Sequence, residues 1–71
     1  MDLNKLRSEL KERQITQAEL ASSMHITPQA LNAKLYGRSP ITIEEAVAIV
    51  EFAKIENPAD IFFADNYKRK R

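Results

Sequence analysis

The sequence predicts an all-α domain of five short helices, and three observations carry that reading. One Gly and three Pro punctuate the chain and few β-branched runs occur, a composition that favours helices. Apolar residues recur three and four positions apart rather than in alternation. Helix start signals stand immediately before several of these periodic runs. With 71 residues and 44% hydrophobic residues there is interior enough for one core, so residues 1–66 are read as a single domain and 67–71 as a basic, flexible tail. The chain has no cysteine, which leaves neither a disulfide framework nor a thiolate zinc site to supplement packing. No stretch approaches the roughly 20 apolar residues of a membrane span, and the first residues lack a signal-peptide profile. A cytoplasmic protein with no membrane partner is expected.

The elements follow in order. The first helix starts after Asp2, with Leu3, Leu6 and Leu10 on one face and Ile15 closing the next turn. Thr16 and Glu19 form a capping box for the second, which turns Leu20, Ala21 and Met24 inward. Thr27 followed by Pro28 starts the third, whose Leu31 and Leu35 face the core. Gly37 ends it in the left-handed conformation, and Arg38, Ser39 and Pro40 form a loop. Thr42 and Glu45 repeat the capping box before an apolar helix. Its main stripe is read as Ile43, Ala46, Val47, Val50 and Ala53, with Ile49 and Phe52 on a second stripe. Asn57 and Pro58 cap a last short helix containing Ile61, Phe62 and Phe63.

A net charge of +1 conceals an uneven distribution. Residues 1–19 mix four bases with four acids, as on an ordinary solvated helix. From Leu20 to Ile43 there is no acidic side chain, so a polyanion meets no repulsion there. From Glu44 to Asp65 six acids stand against Lys54, and the chain ends in Lys68, Arg69, Lys70 and Arg71. That basic end adds at most sequence-independent attraction to phosphates.

The informative stretch is Gln17 to Tyr36. Two short helices joined by about three residues around His25 and Ile26 have the length of a helix-turn-helix. Ala21 supplies the small residue where such helices cross. The outward face of the second helix, with Pro28, Gln29, Asn32 and Ala33, has no core duty. Gln and Asn can bond an adenine edge in two places, and Ala can meet a thymine methyl. His25 is the one histidine and no cysteine accompanies it, so a turn or surface role is expected rather than catalysis or metal binding.

Over Leu3 to Phe63 the chain resembles the lambda-repressor-like (Cro and phage-repressor type) helix-turn-helix regulators of phage and bacteria. The run ITQAELASSMHITPQALNAKLYG is similar to that family's two central helices, SPITIEEAVAIVEFAKI to its fourth, and NPADIFF to its short fifth. The resemblance implies a recognition helix from Pro28 to Tyr36 with base contacts from Gln29, Asn32 and Ala33. It implies DNA backbone contacts from Gln17, Thr27, Lys34, Tyr36, Arg38 and Ser39. Gln17 would meet phosphate at a helix amino terminus, where unpaired N–H groups and the dipole favour an anion. The chain departs from the pattern at three positions: His25 replaces the usual turn Gly, Pro28 a base-reading polar residue, and Lys34 a common apolar residue.

Phe52, Ile55, Phe63 and Tyr67 exceed what a core of this size readily buries, and are read as a partner surface. The function expected is a sequence-specific transcriptional regulator, a phage or prophage Cro-like repressor. It would bind a double-stranded operator as a homodimer, or as a heterodimer with another regulator, in a bacterial cytoplasm. No cofactor, metal or small-molecule substrate is expected, and no catalytic pairing or phosphate-cradling glycine loop suggests an enzyme. The competing reading is an anti-repressor or antitoxin-like module that binds another regulator, which the acidic stretch and surplus apolar residues would suit.

Overall fold

A computed structural model describes residues 1–63 of the chain; Tyr67 and the basic run that follows lie outside the described residues. Five helices make the domain: α1 (Leu3–Glu12), α2 (Gln17–Met24), α3 (Pro28–Leu35), α4 (Ile43–Ala53) and α5 (Pro58–Phe62). No strand occurs among the described residues. α2 is the central element, packing on both α3 and α4, while α1 bridges α3 and α5.

Four of the five starts are as the sequence dictates. Thr16 and Thr42 each accept a hydrogen bond from the N–H of the glutamate three residues on, and that glutamate accepts one from the threonine N–H. Both capping boxes are therefore complete. Asp2 caps α1 through the Lys5 N–H, and Thr27 caps α3 through the Ala30 N–H. Asn57 precedes α5, but its side chain makes no capping hydrogen bond. α5 relies instead on Pro58 and on burial of Ile61.

The ends of α1 to α4 share one device. Gln14, His25, Gly37 and Lys54 all take the left-handed conformation, with φ between 57° and 82°. In each case the next residue donates its N–H to the carbonyl five positions back: Ile15 to Leu10, Ile26 to Ala21, Arg38 to Ala33, and Ile55 to Val50. This is the Schellman arrangement, which usually seats an apolar side chain just past the helix. Three of the four following residues are isoleucines that pack on or in the core. The fourth is Arg38.

Leu6, Leu20, Leu31, Leu35, Ile49 and Ile61 are fully buried and form the centre, with Leu10, Ala21, Ala53 and Ile55 around them. Two sequence expectations need correction. Ile55 is 6% exposed, because the left-handed turn at Lys54 reverses the chain and drives its side chain into the core. It is no part of a partner surface. The buried stripe of α4 is Ile49 and Ala53, with Val50 half-buried, whereas Ile43 is 84% and Val47 49% exposed. Apolar residues nearly encircle this helix, so periodicity defined two candidate faces and packing against α2 selected between them.

Candidate nucleic-acid interface

The turn between α2 and α3 spans residues 25–27, the three-residue connection expected. His25 accommodates the left-handed conformation (φ 61°) that the tight turn imposes, a conformation histidine tolerates better than bulkier or branched residues. Leu20, Ala21, Leu31 and Leu35 are buried between the two helices and fix their relative placement.

On the outer side, Gln29 is exposed on the first turn of α3, while Asn32 and Ala33 one turn later are half-buried. The Asn32 amide is held at both ends. Its Nδ2 donates to Gln17 Oε1 at 3.3 Å, and its Oδ1 accepts from Arg38 Nη2 at 2.6 Å. Gln17, at the first position of α2, is thereby joined to the recognition surface across the turn. The Ala33 carbonyl accepts from both Arg38 and Ser39 backbone N–H groups. Two of the residues expected to meet bases, Asn32 and Ala33, are thus tied to three expected to meet phosphates, Gln17, Arg38 and Ser39.

The remaining expected backbone contacts are placed differently. The Thr27 hydroxyl is occupied as the cap of α3. Lys34 Nζ lies 3.2 Å from Glu45 Oε1 and donates to the Pro40 carbonyl at 3.0 Å, bracing α3 against the loop and the start of α4. Two of the three Nζ donors are thereby engaged within the domain. The Glu45 carboxyl is held below the ordinary glutamate range, first by the Thr42 backbone N–H and then by Lys34, against an opposing push from burial.

Tyr36 is exposed at the carboxy-terminal end of α3, and the Arg7 guanidinium lies 4.2 Å from its ring centroid. Arg7 Nη1 also donates to the Leu35 carbonyl at 2.6 Å, and its other terminal nitrogen to Asn4 Oδ1. Arg7 therefore caps the last turn of α3 from α1. Arg7, Lys11, Gln17 and Tyr36 together rim a shallow depression of about 280 Å³ at the amino terminus of α2. The charge count had left Arg7 and Lys11 on an unremarkable solvated helix. Their convergence on Gln17 depends on how α1 lies across α3, and local spacing carries no such signal.

A second concavity of about 510 Å³ lies on α4 and α5, between Ile41, Ile43, Val47, Val50, Phe62 and Phe63. Phe63 is 61% and Phe52 43% exposed. Among the described residues no cluster of three or more metal-ligating side chains occurs, and no helix is long and apolar enough to cross a membrane.

A protein-family model described as Helix-turn-helix matches residues 6–56, from the middle of α1 to just past α4. Comparison with curated proteins and with solved structures finds no match.

Proposed function

The chain belongs to the lambda-repressor and Cro-like helix-turn-helix family of DNA-binding regulators, and from that premise we propose that it is a Cro-like phage or prophage repressor. It reads the major groove with α3 and binds its operator as a homodimer in the bacterial cytoplasm, with a regulatory rather than enzymatic role. The observation that carries this reading is the outward face of α3. Gln29 is exposed, Asn32 and Ala33 stand one turn further on, and no acidic side chain interrupts the sequence from Leu20 to Ile43. Carboxamides at such positions match an adenine edge, and the absence of acids lets the phosphates approach. Gln17 and Tyr36, together with Arg7 and Lys11, supply backbone contacts around the depression at the start of α2, and Ser39 supplies one from the loop after α3.

One α3 contacts only a few base pairs, and two-fold pairing brings such a domain to useful affinity. The apolar face of α4 and α5 supports a second copy as partner. It carries an exposed Phe63 in the wall of an apolar concavity, and one such patch meeting its own copy is the form a two-fold contact takes. The same face, on the acidic half of the chain, is what favours the second reading, an anti-repressor or antitoxin-like module whose partner is a different regulator.

Selection of bound sites from random duplex DNA tests the proposal. The expected product is a palindrome whose half-sites lie roughly 34 Å, one helical turn, apart. Failure to enrich any sequence, with no duplex bound below micromolar concentration at moderate salt, would overturn it and favour the interaction module.

A further inference from the structure

We infer that Arg38 is a positioning residue, which sets the polarity of a side-chain relay through Asn32 to Gln17 and so decides which groups both amides offer to DNA. The inference rests on the DNA-reading function proposed above. The base of the Arg38 side chain is fixed, because its backbone N–H is tied to the Ala33 carbonyl at 2.8 Å directly after the left-handed Gly37. At the three other helix ends the equivalent residue is an isoleucine directed to the core. Here the side chain turns outward, onto the amide of Asn32.

A guanidinium has donors and no acceptor, so it meets Asn32 at Oδ1 alone. The two ends of a carboxamide have nearly the same shape, and packing by itself would leave their orientation open. With Oδ1 fixed by Arg38 at 2.6 Å, Nδ2 faces Gln17 and must find an acceptor, which Oε1 provides at 3.3 Å. The end of Gln17 left for other partners is its NH₂ group, a donor, as a phosphate oxygen requires. Asn32 keeps one N–H and one lone pair outside the relay. A donor beside an acceptor is the pattern that pairs with adenine N7 and N6. One fixed cation thus orients two neutral side chains before DNA arrives, and it does so without touching a base.

Two substitutions separate this role from a simple phosphate contact. Arg38→Lys keeps a head group that can only donate; Arg38→Met removes both charge and donors. Each protein is measured on the duplex selected above and on its single-base-pair variants, and the side-chain amide NMR signals of Asn32 and Gln17 are followed in the free protein. Arg38→Met is expected to shift both signals and to lose roughly tenfold discrimination at the base pair read by Asn32. Arg38→Lys is expected to retain most of that discrimination, and Asn32→Ala to abolish the difference in discrimination between the two variants. A sequence-independent loss from Arg38→Met, with discrimination kept and the Gln17 signal unmoved, would overturn the inference. If no duplex is selected, the regulator proposal fails, while the two amide signals still decide whether Arg38 orients the relay.

Discussion

The α2–α3 pair and the α4–α5 pair are built with the same local devices and present opposite chemistry. Both begin with a complete Thr/Glu capping box, and left-handed residues end α2, α3 and α4. Between α2 and α3, the apolar side chains of Leu20, Leu31 and Leu35 are spent inward, and the outer side carries amides and cations tied into a network. On α4 and α5, Ile49, Ala53 and Ile61 fill the core, yet Ile43, Val47 and Phe63 are left exposed. A polar face with no acid in the sequence from Leu20 to Ile43 suits a polyanion; an apolar face with a concavity suits a protein. The difference lies in which residues exceed the needs of the core.

The largest expected effects come from opposing a core residue to a surface one. Leu31→Ala empties a fully buried site behind the α3 face and should cost about 2–5 kcal/mol in denaturant unfolding, with loss of DNA binding. Val47→Asp, on the other face, should leave monomer stability within about 0.5 kcal/mol while shifting sedimentation from dimer to monomer. Gln29→Ala comes next, with a loss of about 1–3 kcal/mol confined to one or two base pairs of the selected site. Equal loss on random duplex would show Gln29 to be a sequence-independent contact.

Smaller effects test the device the two regions share. Thr42→Ala should cost about 1 kcal/mol by removing the cap of α4. Because the folded state holds Glu45 below the ordinary glutamate range, its contribution is complete above that range. It is lost as pH falls through the lowered folded value. Unfolding compared at neutral pH and about pH 3 should therefore show wild type losing more stability than Glu45→Gln. Smallest of all, Lys54→Gly should raise the melting temperature slightly, a gain of at most about 1 kcal/mol, by relieving a non-glycine residue at φ 57°.

Much of the fold was legible because it is written locally. A threonine three residues before a glutamate, a proline after Thr27 and the lone Gly37 each specify a helix end within four positions. The buried face of α4 was less legible, since a helix apolar on most sides leaves the choice to its neighbours. Gln14 and Lys54 gave no sign that they would adopt left-handed geometry, because no glycine marks them. Gln29 and Asn32 could be singled out by residue type and place on a helix. The Arg38–Asn32–Gln17 relay could not, since its bonds span 6 and 15 positions and exist only once α2, α3 and the following loop are assembled. Arg7 escaped for the same reason: its partners on α3 lie far along the chain.

The division of labour between the two faces is tested most directly by backbone amide NMR of the wild-type protein titrated with the selected duplex. Signals from Thr16 to Ser39, together with Arg7 and Lys11, should move in proportion to bound DNA. Those of Ile43, Val47 and Phe63 should respond to protein dilution instead. Movement concentrated on α4 and α5 during the DNA titration, with Gln29 and Asn32 unchanged, would contradict the assignment of the α2–α3 face to DNA.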